Sequence, residues 1–263
     1  MGTVETTPPL ERYIRILESI AVSQACNVSE ISQTCDLPIG TAHRLMQNLL
    51  QSGLIVAGGG KQKEYQLGQR LLRLIHAGSN SVRLAIAVQP ILDELANRLS
   101  YTCFLTRLVG HKVISVAWAA PGDGLHGYVV PGHTLAPHVA ASAKAILAFQ
   151  SKDIVDKALS GPLPKLTESS KIDRADIERE YEQVRLSDYA TCWNEMENGL
   201  GAIAVPVPLP MVGVAYSIGT AGLIDRLVQR PEQETVEILR SAVAPMQRAL
   251  REPSPKSDEQ AQI

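Results

Sequence analysis

No CxxC pair occurs among the four cysteines of this 263-residue chain, Cys26, Cys35, Cys103 and Cys192. Scattered singly and with no secretory leader ahead of them, they read as reduced cytosolic thiols, so a cytoplasmic protein with no structural zinc is expected. An uninterrupted membrane span is missing too. The longest apolar stretch, 200–219, carries Pro206, Pro208 and Pro210 at alternate positions, which a transmembrane helix tolerates badly. Two buried strands, about 201–206 and 211–218, around a proline turn are expected instead, with no membrane partner. Nor is there an excess of one charge: 25 Lys and Arg against 27 Asp and Glu leave a net charge of −2, so bulk electrostatics do not announce a nucleic-acid binder.

Enzyme signatures are also lacking. Gly58-Gly59-Gly60 precedes Lys61 without the spacing or the following hydroxyl of a phosphate-binding loop. His126, His133 and His138 lie near Asp123, but no HxxxH or HExxH pair occurs to hold a metal ion. Ser142 stands four residues from His138, yet no G-x-S-x-G elbow and no third triad member accompany them. Cys192 has no basic sequence neighbour to make it a reactive thiol. Neither an enzyme nor a cofactor is expected, and no internal repeat is present.

What is present is a patterned stretch at 27–54, NVSEISQTCDLPIGTAHRLMQNLLQSGL. Val28, Ile31 and Cys35 recur at roughly helical spacing, with Asn27 or Ser29 as cap. Asp36-Leu37-Pro38 breaks that helix, and proline suits the first turn of the next. There Ala42, Leu45, Met46, Leu49 and Leu50 form one apolar stripe, opposite Gly40, Thr41, His43, Arg44, Gln47 and Asn48. Small and hydrogen-bonding side chains with one cation are what a helix in a DNA major groove presents. Residues 54–57 and 64–67 then read as strands around the glycine turn, a wing whose Lys61 and Lys63 reach phosphates or the minor groove. Between Gly40 and Arg73, the cations Arg44, Lys61, Lys63, Arg70 and Arg73 face only Glu64, so the positive charge is local. The bland alternative is an ordinary helical hairpin with a polar outer face; another is a winged helix that binds proteins and not DNA.

Around this stretch the chain orders itself simply. Residues 1–8 are polar and expected to be disordered. A helix over 9–24 completes a winged helix-turn-helix domain at 9–67, and 68–81 reads as a linker helix. A longer helix at 82–99, bent at Pro90, opens a second domain at 82–253. Strands are expected at 102–108, 112–119 and near Tyr128, an Ala-rich buried helix at 138–149, and helices at 152–159, 174–186 and 232–251. Without a strict βαβ repeat, this mixture predicts an α+β fold around a mainly antiparallel sheet. A flexible tail follows at 254–263.

Taken together, LPIGTAHRLMQNLLQSGL at 37–54, YQLGQRLL at 65–72, HVAASAKAILAF at 138–149, DYATCWNEMENGLGAIAVPV at 188–207 and VAYSIGTAGLIDRL at 214–227 resemble the IclR family of bacterial transcriptional regulators in order and spacing. The resemblance spans nearly everything from Glu11 to Pro253. It implies an N-terminal winged helix-turn-helix, a GAF-like effector domain, homodimers and homotetramers, and repressors or activators of catabolic genes. It also implies effector positions: Ala141 and Ser142 in the turn before the SAKAILA helix, Cys192 where members binding small keto acids carry an acid, Leu200 and Ala202 on the next strand, and Ser217 with Gly219 where such members carry two serines. Ala143 replaces the common glycine before the lysine.

These departures remove an acid and a hydroxyl. Since a buried polar group left unmatched costs roughly 1–3 kcal/mol, a less polar pocket should accept a larger, more apolar ligand. Trp118, Tyr128 and Met196 are candidates for contacting its ring, or are simply core. The expectation is a regulator of a catabolic operon, a repressor released by a small aromatic acid, amide or related metabolite, with Thr41, His43, Arg44, Gln47, Lys61 and Lys63 on operator DNA. An activator of the same architecture is the alternative.

Overall fold

Asn27 decides where the first motif begins. Its side chain accepts from the N–H groups of Ser29 and Glu30 at 2.9 and 3.0 Å, while the Glu30 carboxylate accepts from Asn27 N–H at 2.9 Å. This reciprocal pair satisfies donors that a helix start otherwise leaves open. The computed structural model describes residues 8–23, 26–58, 64–68, 70–71, 81–122 and 131–251. The wing tip with Lys61 and Lys63, most of the linker segment, the strand expected near Tyr128 and both termini lie outside the described residues.

The chain divides into two compact units, Met1–His76 and Ala77–Ile263. In the first, α1 (Pro9–Ser23), α2 (Val28–Thr34) and α3 (Ile39–Gln51) precede the strands β1 (Ile55–Ala57) and β2 (Tyr65–Leu67). Asp36, at φ 51°, turns the chain between α2 and α3, and Pro38 stands at the N-cap of α3. Gly53, at φ 70°, ends the third helix in the left-handed region that glycine adopts without strain. The strands pair antiparallel, and Cys26 adds a bridge to Tyr65 with backbone bonds of 3.2 and 2.8 Å. Ile16, Ile20, Ile31, Ala42, Leu45, Met46, Leu49, Ile55 and Tyr65 form one buried cluster. The apolar stripe expected on the second motif helix is therefore the side that faces this core.

In the second unit, α4 (Ser81–Leu99) runs unbroken through Pro90. The strands β3 (Thr102–Val109), β4 (Lys112–Ala119), β5 (Thr134–Leu135), β6 (Ala190–Trp193), β7 (Leu200–Leu209) and β8 (Gly213–Leu223) form one sheet in the order β5-β4-β3-β8-β7-β6. Every pairing in it is antiparallel. The remaining helices are α5 (Ala141–Leu147), α6 (Lys152–Ala158), α7 (Arg174–Ser187), α8 (Ile224–Leu227), α9 (Glu232–Ser241) and α10 (Val243–Arg251). The Ala-rich α5 packs on the sheet's β6, β7 and β8 side with α7 over it, while α4, α9 and α10 pack with one another and on β3, β4 and β7. An α+β fold of helix layers about an antiparallel sheet results.

Four element boundaries differ from expectation. The strands β7 and β8 are longer than 201–206 and 211–218, and β7 runs on through Pro206 to Leu209, so Pro208 lies inside it and not in a turn. The neighbouring β6 pairs only as far as Ala204, so beyond it β7 is an edge, where a missing N–H costs no ladder bond. The turn is Pro210-Met211-Val212, with Met211 at φ 65°. The helix expected at 138–149 begins only at Ala141, because Ala140 N–H closes a turn on Ala136 carbonyl at 3.1 Å. The helix expected at 232–251 is two, broken at Ala242, with Pro245 in the first turn of the second. The short helix α8 had no expectation.

Candidate functional site

The outward face of α3 is the first candidate. His43 and Arg44 are exposed, and Thr41 and Gln47 are half-buried at its flanks. Asn48 is tied down instead, donating through Nδ2 to Tyr13 Oη at 2.8 Å. Ile39, not singled out from the sequence, is 60 % exposed at the head of the helix, and an apolar side chain there suits a thymine methyl. Arg70, counted in the local positive patch, donates from Nη1 to Ser52 carbonyl at 2.7 Å and so caps the end of α3. No acidic side chain occurs within α3 itself.

The second candidate is the face of the large sheet beneath α5. Side chains directly opposite on paired strands share a face. The register therefore sorts that face into rows. Ser115, Thr106, Ser217 and Pro206 align across β4, β3, β8 and β7; Trp118, Phe104, Gly219 and Ala204 form the next row, continued by Ala190 on β6; Thr102, Ala221, Ala202 and Cys192 form the third. Leu200 follows on β7 at the same parity. Thus the strand positions named from the sequence, Trp118, Cys192, Leu200, Ala202, Ser217 and Gly219, all project from one face. The residues Ala190, Cys192 and Ala204 pack in one buried cluster with α5. Small side chains in that corner let the alanine-rich helix lie close.

Ala141 and Ser142 open α5, whose first intrahelical bond is Lys144 N–H to Ala140 carbonyl at 3.0 Å. The N–H groups ahead of it are those a helix start leaves unpaired. Ser217 bridges sheet and helix. Its Oγ donates to Ser142 carbonyl at 3.1 Å, so Thr106 must supply the proton in the 2.7 Å contact between the two hydroxyls. All three side chains are buried. Ser217 thus has its proton committed and a lone pair to offer. The space that a side chain at Gly219 would use is taken: a Cβ there would stand 2.7 Å from the Phe104 ring and 2.9 Å from Ile203 carbonyl. Trp118 is half-buried and Met196 is 41 % exposed.

A buried ion cluster borders this face and was not foreseen. Lys144, fully buried on α5, donates to Glu180 at 2.7 Å and to both oxygens of Glu195 at 2.9 and 3.0 Å. Lys171 lies 3.0 Å from Glu180. Two cations and two carboxylates leave it without net charge. Burial pushes the Glu195 carboxyl above its ordinary range, and Lys144 pulls it back. Thr167 and Ser170 hold the Glu195 backbone, the latter donating to its carbonyl at 2.7 Å. A lysine inside an alanine run was the available signal, since a buried ammonium demands partners. Their identity depended on pairing across 36 and 51 positions.

Burial also raises the Cys192 thiol above its ordinary value, reinforced by Glu195 and opposed by Lys144. His138 is fully buried, with Nε2 at 3.0 Å from Pro164 carbonyl and Nδ1 without a hydrogen bond, so neither nitrogen engages Ser142. Tyr181 Oη fastens the same turn by donating to Pro137 carbonyl at 3.0 Å. Among the described residues, no group of three His, Cys, Asp or Glu side chains could hold a metal ion, and no helix is long and apolar enough to cross a membrane. Asp123, His126 and Tyr128 lie outside the described residues.

Comparison with known proteins meets this geometry from another side. The IclR helix-turn-helix domain matches residues 9–58, and the bacterial transcriptional regulator IclR C-terminal domain matches residues 76–248. The HTH-type transcriptional regulator BhcR of Paracoccus denitrificans is 26 % identical over 199 residues, 75 % of this chain and 71 % of that protein. The p-hydroxybenzoate hydroxylase transcriptional activator of Acinetobacter baylyi is 26 % identical over 207 residues, 75 % of this chain and 74 % of its own. A crystal structure of an IclR homolog complexed with 4-hydroxybenzoate, from Microbacterium hydrocarbonoxydans, is 25 % identical, with a TM-score of 0.58 over 92 % of this chain and 98 % of that one. These relatives are regulators, not enzymes. With both domain matches in chain order over the two units, the protein belongs to the IclR family of DNA-binding bacterial transcriptional regulators.

Proposed function

We propose that this regulator represses a catabolic operon and is released by a small aromatic acid, amide or related metabolite. The observation that carries the reading is the composition of the sheet face under α5. Trp118 and Phe104 supply ring surface, Thr106 and Ser217 supply hydroxyl groups, and the adjoining ion cluster is neutral and internally paired. Such a face matches an apolar ring bearing one polar group better than a compact keto acid, whose polar atoms outnumber the partners available. Two relatives support it in their own right, one regulating p-hydroxybenzoate hydroxylase and one crystallised with 4-hydroxybenzoate. The first is an activator, which favours activation as the second reading of the sign.

In this reading Arg44, Thr41 and Gln47 contact base edges, His43 lies beside them, and Lys61 and Lys63 hold the backbone. A homodimer presents two α3 helices to half-sites about one helical turn apart or a multiple of that. Self-association, up to a homotetramer, is supported by apolar side chains left in solvent: Leu10, Ile14 and Val22 on α1, and separately Val82 and Ile86 on α4. The effector changes affinity for DNA only if it binds one arrangement of the protein more tightly than the other. In this reading the protein works in the cytoplasm, where its operator is.

An anisotropy titration on the DNA upstream of the gene and its neighbours tests this, with and without benzoate, 4-hydroxybenzoate, their amides and pyruvate. Specific binding weakened by an aromatic compound is expected. Binding strengthened by it would reverse the sign to activation or co-repression. A response to pyruvate alone would overturn the ligand class.

A further inference from the structure

Three glycines in the sheet of the second unit lie under an aromatic ring from a neighbouring segment. An added Cβ would stand 2.5 Å from the Trp193 ring at Gly201, 2.9 Å from the Tyr101 ring at Gly222, and 2.7 Å from the Phe104 ring at Gly219. Rings over glycines fill gaps and fix register, so a structural role accounts for any one of them. The three are not equivalent. Along β7 and β8 the register places Gly201 and Gly222 opposite each other, on the face away from α5. Gly219 is on the face beneath α5, in the row with Trp118 and Ala204. Phe104 is thus a ring-on-glycine pair standing among the candidate effector positions.

We propose that Phe104, seated on Gly219, is a specificity-determining residue that sets the size of ligand the effector face accepts. The inference rests on the effector-binding reading above and deepens it. Loss of a side chain at position 219 does not by itself enlarge the site, because the Phe104 ring occupies the released volume. The ring is 6 % exposed and next in line to Trp118, while Ser217 and Thr106 keep hydroxyl groups one row away. A planar ligand therefore meets aromatic surface along one side and hydroxyl oxygens along the next. Offset or edge-on ring packing contributes beyond the area buried. The Phe104 ring fills the space over Gly219, so truncating it should open room for roughly a second ring on this face.

Calorimetric titration of the full-length protein with benzoate, 4-hydroxybenzoate, 2-naphthoate, pyruvate and phenylpyruvate tests this. The variants are Phe104→Ala, Phe104→Leu as the gentler change should alanine impair folding, and Trp193→Leu and Tyr101→Leu as matched truncations on the other face. The wild type should bind single-ring acids. In Phe104→Ala the ratio of two-ring to one-ring affinity should rise by about tenfold or more, with Phe104→Leu between, a free-energy difference of about 1.4 kcal/mol or more. Trp193→Leu and Tyr101→Leu should leave that ratio within about twofold. An unchanged ratio in both Phe104 variants, or an equal change in the Trp193 variant, would overturn the role of Phe104 while leaving an aromatic effector standing. Binding of pyruvate but not of benzoate would overturn the aromatic effector, and the pyruvate to phenylpyruvate ratio would then decide on Phe104. A wild type that binds none of the five compounds would overturn both.

Discussion

The two units solve opposite problems with their polar side chains. In the first, the candidate interface is a surface: His43 and Arg44 stand in solvent, while the same helix buries Ala42, Leu45, Met46 and Leu49 against an apolar core. In the second, the candidate effector face is an interior: Thr106, Ser217, Lys144 and Glu195 are buried and bonded to one another or to backbone. An exposed polar group is solvated before DNA arrives, so losing it changes binding and little else. A buried one is part of the fold, so altering it changes stability and binding together. Polar residues proposed for binding should therefore separate from the fold in the first unit and not in the second.

Lys144→Met attacks that contrast where it is strongest. It leaves the buried Glu195 without its cation, while the half-buried Glu180 keeps Lys171 at 3.0 Å, and removing one member of such a cluster costs about 3–5 kcal/mol. Chemical denaturation monitored by circular dichroism should show the loss in the effector-domain transition. The triple change Lys144→Met, Glu180→Gln, Glu195→Gln removes the three charges that meet at Lys144, leaving only the exposed Lys171, and should cost less than the single change. Equal or greater cost in the triple variant would mean the cluster stabilises by more than charge pairing. Met46→Ala carries the comparison to the apolar side of α3: fully buried, Met46 should contribute about 2–5 kcal/mol, all of it as stability of the first unit. Arg44→Ala should sit at the other extreme. Its unfolding midpoint should not move, while discrimination between operator and random DNA should fall by about 1–3 kcal/mol. A large drop in its unfolding midpoint would break the separation proposed for this unit.

How legible each unit was follows from the same difference. The helix-turn-helix rests on local rules, with Asn27 as cap, Pro38 opening a helix, Gly53 closing it and an apolar stripe at helical spacing, all readable within a window of thirty or so residues. Asn48 and Arg70 escaped because their partners, Tyr13 and the Ser52 carbonyl, lie 35 and 18 positions away. In the effector unit, family resemblance named Cys192, Ala202, Ser217 and Gly219 on three different strands, and only the register shows that they share one face with Trp118. What resemblance could not convey is what fills a missing side chain. Gly219 stood only for a lost hydroxyl, and only the pairing of β3 with β8 reveals the Phe104 ring over it. The break at Ala242 escaped because apolar periodicity continues across it. Pro208 looked like a turn residue because edge and centre of a strand cannot be told apart before the sheet order is known.

The smallest effect concerns the thiols. All four cysteines are buried, Cys26 and Cys35 in the first unit and Cys103 and Cys192 in the second. Cys103 lies on a central strand, and burial pushes its thiol up to about 12. Cys192 lies on β6, the outermost strand on its side of the sheet, with its thiol also raised by burial. The attacking species is the thiolate, so iodoacetamide at pH 8 should label both slowly in the native protein and rapidly once denatured. Local opening is cheapest at an edge strand and dearest at the centre, so Cys192 should label before Cys103. If the face beneath α5 binds the effector, saturating ligand should slow Cys192 and leave Cys26 and Cys35 unchanged, because binding to the closed state lowers the open population by mass action. Mass spectrometry of the labelled peptides reads all four sites at once. Cys103 labelling as fast as Cys192 would mean that the sheet opens as a whole, and the division between an exposed, separable interface and a buried, coupled one would then extend to dynamics as well as to stability.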